Sequence, residues 1–135
     1  MFAELNGREV LAEARPDWAA FRDAADQLPD LAAHLSLHLY ARDPADPARL
    51  YTRMFSPLLG VPEDPATGSA NAALAALLVA LAPGADVELA FDILQGVEMG
   101  RPSRLAARAC KTPEGAVTAS IGGSCVSMMR GTIEL

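Results

Sequence analysis

A chain of 135 residues with 51% hydrophobic and 21% charged residues has the apolar mass for one core and the charge to stay dispersed, which excludes a disordered segment. Eleven Lys and Arg against seventeen Asp and Glu give a net charge of -6 with no basic cluster, which argues against nucleic acid or an anionic membrane as partner. Only Cys110 and Cys125 are present, without His or Cys at metal-ligand spacing, so they read as reduced, structural thiols of a cytoplasmic protein.

Residues 1–5 carry no basic region followed by an apolar stretch, and so no signal peptide. They read instead as a strand fragment that needs a neighbour, as if the chain starts midway through a larger fold. Asn6 can cap a short helix over 8–14, with Glu9 in its first turn. Pro16 opens a second helix through about Gln27, with Trp18, Phe21 and Ala25 on one face. Residues 34–41 alternate His34, Ser36, His38 and Tyr40 against Leu35, Leu37 and Leu39, the period of a half-buried strand with the histidines on its solvent or interface side. A polar connection with Pro44 and Pro47 leads to another strand over 50–55.

Residues 56–69 hold Pro57, Pro62 and Pro65 with Gly60 and Gly68, and are expected to form an irregular loop. A loop of that length in a compact domain is usually functional or disordered. It delivers Thr67, Gly68 and Ser69 to an apolar helix over 70–82 whose single polar residue is Asn71. That run stops at Pro83 and Gly84, short of the ~20 residues of a membrane span, so it predicts a buried helix covered on every side. Strands are expected at 87–94, 104–111, 116–121 and 124–134. No repeat or composition boundary divides the chain, and the pattern implies one α+β domain with its sheet curled around the long helix.

The chemistry concentrates at 63–70. A helix start presents backbone N–H groups without intrahelical partners and the positive end of the helix dipole, a site for a carboxylate or a developing enolate. Gly68 allows close approach to the backbone, Ser69 adds a hydroxyl, and Asp64 can hold a carboxylate at the same mouth as a proton donor or acceptor. The plainer alternative makes Thr67 or Ser69 a helix cap and Asp64 a turn residue.

The run 53–70, ending in Glu63-Asp64-Pro65-Ala66-Thr67-Gly68-Ser69-Ala70, resembles the signature that precedes the central helix in the C-terminal half of the PhzF-like family, named for its phenazine-biosynthesis isomerase. The resemblance continues through Gln95-Gly96, Gly100-Arg101-Pro102-Ser103 and Gly122-Gly123, in the family's order. It implies one lobe, the C-terminal one, of a diaminopimelate-epimerase-like fold, in which two such lobes enclose the active site. The family isomerase relocates a proton on trans-2,3-dihydro-3-hydroxyanthranilate by acid-base chemistry with no cofactor, its main base being a glutamate of the N-terminal lobe, which has no counterpart in this sequence. By the resemblance Asp64 matches the C-terminal active-site aspartate, and Gly68 and Ser69 the substrate contacts at the helix start, beside Thr67 and Gly96. Gln95 and Arg101 read either as cleft-rim residues, where Arg101 could pair with a substrate carboxylate, or as structural turn residues. Glu63 matches the preceding acid and not the catalytic glutamate.

Two functions follow. One is half of a cofactor-independent isomerase acting on a small anionic metabolite and completed by a separate N-terminal-lobe chain. The other is a non-catalytic anion-binding or remnant protein whose homodimer occupies both lobe positions.

Overall fold

The computed structural model describes residues 1–134. Its strands and helices follow in the order β1 (Phe2–Glu4), α1 (Arg8–Glu13), α2 (Trp18–Gln27), β2 (Leu37–Arg42), β3 (Arg49–Ser56), β4 (Val61–Asp64), α3 (Gly68–Leu81), β5 (Val87–Gln95), β6 (Ser103–Lys111) and β7 (Val117–Gly123). The chain is α+β, with one mixed sheet in the order β1-β2-β3-β5-β6-β7 and β4 added beside β3. β1 runs parallel to β2, and β3 parallel to β5; the remaining pairs are antiparallel. The parallel β3–β5 pair requires a crossover, and α3 is that crossover.

Asp17 starts α2 as its N-cap, Oδ1 accepting from the Ala19 and Ala20 amides at 2.8 and 3.2 Å. Asn6 does not cap α1: Gly7 holds that place at φ 112° with no side-chain cap, because the left-handed backbone there turns the chain directly into the helix. From Phe21 onward α2 adds to the core, whereas Trp18 in its first turn is 44% exposed, outside the expected buried face.

Two apolar clusters lie on opposite faces of the sheet. Leu11, Phe21, Leu35, Leu39, Ala41 and Phe55 pack beneath α1 and α2. Tyr40, Leu50 and Ile93 pack with Leu74, Ala75, Leu78 and Val79 of α3 on the other face. β2 and β3 are therefore covered on both sides, and the expected polar face of β2 is buried, with His38 at 1% exposure. His38 lies under α3 because that helix supplies Asn71 opposite it. β6 is covered on one face only and alternates accordingly.

Three further expectations are corrected. Residues 56–69 contain regular structure after all, a 3-10 turn at Pro57–Leu59 and the strand β4, because β3 offers a free edge for pairing. Residues 124–134 form no strand, and among the described residues β7 is the last strand of the sheet. Cys125 accordingly lies outside any strand and is exposed. Finally, α3 is covered on one face rather than all round: it buries Asn71, Leu74, Ala75, Leu78 and Val79, while Leu77 and Leu81 are exposed. Among the described residues no helix is long and apolar enough to cross a membrane.

The sheet forks at β3. β2 pairs along the whole of one edge. On the other edge β5 pairs with the first half, ending at Gln95 opposite Thr52, and β4 pairs with the second half, with Asp64 opposite Met54. The ends of β4 and β5 thus meet two residues apart on β3, directly before the start of α3.

Candidate active site

The fork is filled by side chains. Gln95, the last residue of β5, is fully buried and bonds on every side. Its Nε2 donates to the Asp64 carbonyl at 2.7 Å and to Thr67 Oγ1 at 2.9 Å. Its Oε1 accepts from Asn71 Nδ2 at 2.7 Å, the Thr67 amide at 3.2 Å and the Thr52 hydroxyl at 3.5 Å. Asn71 Nδ2 also donates to the Thr67 carbonyl at 2.9 Å, and Asn71 Oδ1 faces His38 Nε2 at 3.1 Å. One primary amide therefore ties the end of β5 to the end of β4 and the first residue before α3.

Asp64 closes this network. Its Oδ2 accepts from the Thr67 hydroxyl at 2.6 Å and its Oδ1 from the Ala66 amide at 3.5 Å. Thr67 is the residue before α3, yet its hydroxyl gives the helix no cap bond. The first-turn amides of Gly68, Ser69 and Ala70 have no intrahelical acceptor, so they stand beside the Asp64 loop as free donors at the positive end of the helix. Ser69 is exposed and Gly68 partly so. A Cβ on Gly68 would come no closer than 3.8 Å to Ile121 of β7. The geometry sets the Asp64 carboxylate in the loop that leads into the exposed start of α3.

Gly96 and Arg101 hold the neighbouring loop. Gly96 has φ 74°, and the Arg101 amide donates to its carbonyl at 2.9 Å. A Cβ at Gly96 would collide with the Arg101 carbonyl and lie 2.8 Å from that of Pro65, so only glycine lets this turn sit against the Asp64 loop. Arg101 is exposed at the edge. The structure thus brings Asp64, Thr67, Gly68, Ser69, Gln95 and Gly96 together; Gln95 lies fully buried beside the start of α3 rather than at an exposed rim.

Glu63 is held elsewhere. Its carboxylate receives two bonds of 2.8 Å from Arg53 Nε and Nη2, a paired contact with Arg53 3% exposed. Arg53 Nη1 donates to the carbonyls of Leu11, Ala12 and Ala14, finishing the end of α1. The Glu63 partner raises the Arg53 pKa above its ordinary value. His38 is the opposite case: burial lowers its pKa to about 4, and it is neutral at pH 7.

Neither Thr52 nor Asn71 is marked as a site residue by the sequence, and His38, expected on the solvent or interface side of its strand, is instead buried against Asn71. A signal for Asn71 existed, since a lone polar residue in an apolar helix must find a hydrogen-bond partner when buried. Nothing local marks His38, whose partner lies 33 residues away.

The family model for phenazine biosynthesis-like proteins matches residues 1–131. A trans-2,3-dihydro-3-hydroxyanthranilate isomerase of Pseudomonas aeruginosa is 36% identical over 134 residues, 97% of this chain and 43% of that protein. One from Pseudomonas chlororaphis is 45% identical over 89 residues, 64% of this chain and 31% of that protein. A Bacillus anthracis phenazine biosynthesis protein of the PhzF family superposes with a TM-score of 0.68 at 22% identity, over 90% of this chain and 41% of that one. The chain spans less than half the length of these curated relatives.

Proposed function

The chain belongs to the phenazine biosynthesis-like protein family, and from that premise we propose that it forms one lobe of a cofactor-independent isomerase that relocates a proton on a small carboxylate-bearing metabolite. The observation that carries this reading is the Asp64 carboxylate standing beside the free first-turn amides of α3. In the proposed reaction Asp64 gives or takes the proton. The amides of Gly68, Ser69 and Ala70 receive the substrate carboxylate or the enolate that forms when a proton leaves the neighbouring carbon. Arg101, exposed at the edge, pairs with a substrate carboxylate. A second lobe, wherever it is encoded, supplies the opposing base and closes the cleft. The α3 helix then becomes central to a closed, diaminopimelate-epimerase-like lobe. We assign the activity to the cytoplasm, on the reduced state expected of Cys110 and Cys125.

The first compound to test is trans-2,3-dihydro-3-hydroxyanthranilate, which the relatives' names specify. The chain is co-expressed with the portion of the Pseudomonas aeruginosa relative that it does not match, and deuterium incorporation from D2O is followed by proton NMR. Incorporation is expected, with a loss of about 100-fold or more in Asp64→Asn. Equal incorporation by Asp64→Asn and the unaltered chain would remove Asp64 from the chemistry.

A second reading is favoured by the exposed apolar side of α3, Leu77 and Leu81. In it two copies associate across that face and the homodimer binds the anion without turnover.

A further inference from the structure

Four hydrogen bonds connect His38 to Asp64 in one line, and the backbone decides which way each one points. Gln95 Nε2 lies 2.7 Å from the Asp64 carbonyl, and only the NH2 end of the amide can satisfy a carbonyl. Its Oε1 lies 3.2 Å from the Thr67 amide, which only an oxygen can accept. Asn71 is fixed in the same manner, because Nδ2 faces the Thr67 carbonyl at 2.9 Å. With both amides set, Asn71 Oδ1 is an acceptor toward His38, so Nε2 of His38 carries the proton. Thr67 Oγ1 accepts from Gln95 Nε2, which directs its own proton to Asp64 Oδ2. Every donor in the line His38 to Asn71 to Gln95 to Thr67 to Asp64 faces the carboxylate.

A chain of aligned donors polarises link by link, and here its interior is shielded from water, with His38, Asn71 and Gln95 each at or below 1% exposure. The other ring nitrogen, His38 Nδ1, is buried without a partner among the described residues, so the ring is committed to this one bond. Phe2 packs against the ring in a T-shaped arrangement at a centroid distance of 5.8 Å.

We propose that His38, Asn71 and Gln95 are positioning residues that act through Thr67, holding its hydroxyl as a donor to Asp64 and keeping Asp64 as an oriented carboxylate at the start of α3. The assignment rests on the reading of Asp64 as the proton carrier, and it adds to that reading a buried line reaching across the sheet to β2.

The test needs no substrate. Nitrogen-15 NMR of His38 in the folded chain at pH 7 is expected to show a neutral ring protonated at Nε2. A ring protonated at Nδ1, or at both nitrogens, would overturn the proposal. The carboxyl carbon of Asp64, assigned by its disappearance in Asp64→Asn, is then followed in the His38→Phe/Asn71→Leu double variant. That variant replaces both partners with apolar groups of similar size, so the fold is not left with an orphaned bond. The Asp64 signal is expected to move toward that of a solvent-exposed aspartate, and an unmoved signal in a folded variant would sink the idea. Should the double variant not fold, Thr67→Val and Thr67→Ser decide: the signal moves in the first and returns in the second, whereas equal signals in both overturn the proposal. Loss of deuterium incorporation in Asp64→Asn bears on the proposed reaction alone, because none of these spectra depends on catalysis.

Discussion

His38 and Arg53 are both buried on β-strands and show how one charge can be excluded and another kept. His38 has only an amide oxygen beside it and stays neutral, its pKa lowered chiefly by burial, with the nearby amino group of Met1 adding to the effect. Since its folded pKa of about 4 lies below the ordinary 6.5, the unfolded chain binds more protons between those values. The stability His38 contributes is thus fully present above about pH 6.5 and is lost as pH falls toward 4, on the order of 3 kcal/mol in all. Urea melts of the chain and of His38→Gln at pH 7 and pH 4.5 should show a smaller acid loss in the variant. Asp92 and Asp43, held below the usual carboxylate range by Arg104 and by the Tyr51 hydroxyl, weaken the fold only at lower pH and are common to both proteins. Arg53 keeps its charge because Glu63 and three helix-end carbonyls surround it. Arg53→Met strands the Glu63 carboxylate and frees those carbonyls, and should cost roughly 3–5 kcal/mol in a urea melt. Arg53→Lys should recover little of this, as an ammonium cannot make the paired contact.

At the level of elements, the strands β5, β6 and β7 and the helix α3 were legible in the sequence because each carries its own period and its own Gly or Pro stop. The strand β4 was not, since Pro62 and the short run around it have no strand pattern of their own and form a strand only through the free edge of β3. The opposite error concerned 124–134, where Val126, Met128 and Ile133 suggest a strand by composition but have no neighbour to pair with. The candidate site divided in the same manner. Asp64, Thr67, Gly68 and Ser69 are contiguous and were visible as a motif, whereas the burial of His38 and Gln95 depends on where α3 lands. The turns can be told apart by substitution. Gly96→Ala should cost more than ~1 kcal/mol and displace the Asp64 loop, because it adds a collision to a left-handed backbone. Gly60→Asn, at φ 77° with open space around its Cβ position, should stay within about 1 kcal/mol, both substitutions being read by urea melts.

For the whole molecule, the distribution of apolar surface is uneven: α1 and α2 close one face over β2 and β3, while α3 leaves Leu77 and Leu81 outside, Leu81 at 73% exposure. If two copies associate through that side, light scattering should report a dimer that Leu81→Glu dissociates, with the secondary structure of the subunit kept because Leu81 is exposed in the single chain. A monomer at all concentrations would leave the homodimer reading without support. The fork in β3 has a different consequence. Where two strand ends part, a gap normally leaves a loop free to wander, but here the Gln95 amide bonds to a backbone carbonyl and a backbone N–H as a peptide of a missing strand would. The loop from Asp64 to Thr67 is ordered before any ligand arrives. Its conformational entropy, about 1–2 kcal/mol for each residue fixed, is settled during folding, so under the proposed function it is not subtracted from the binding of an anion at the start of α3.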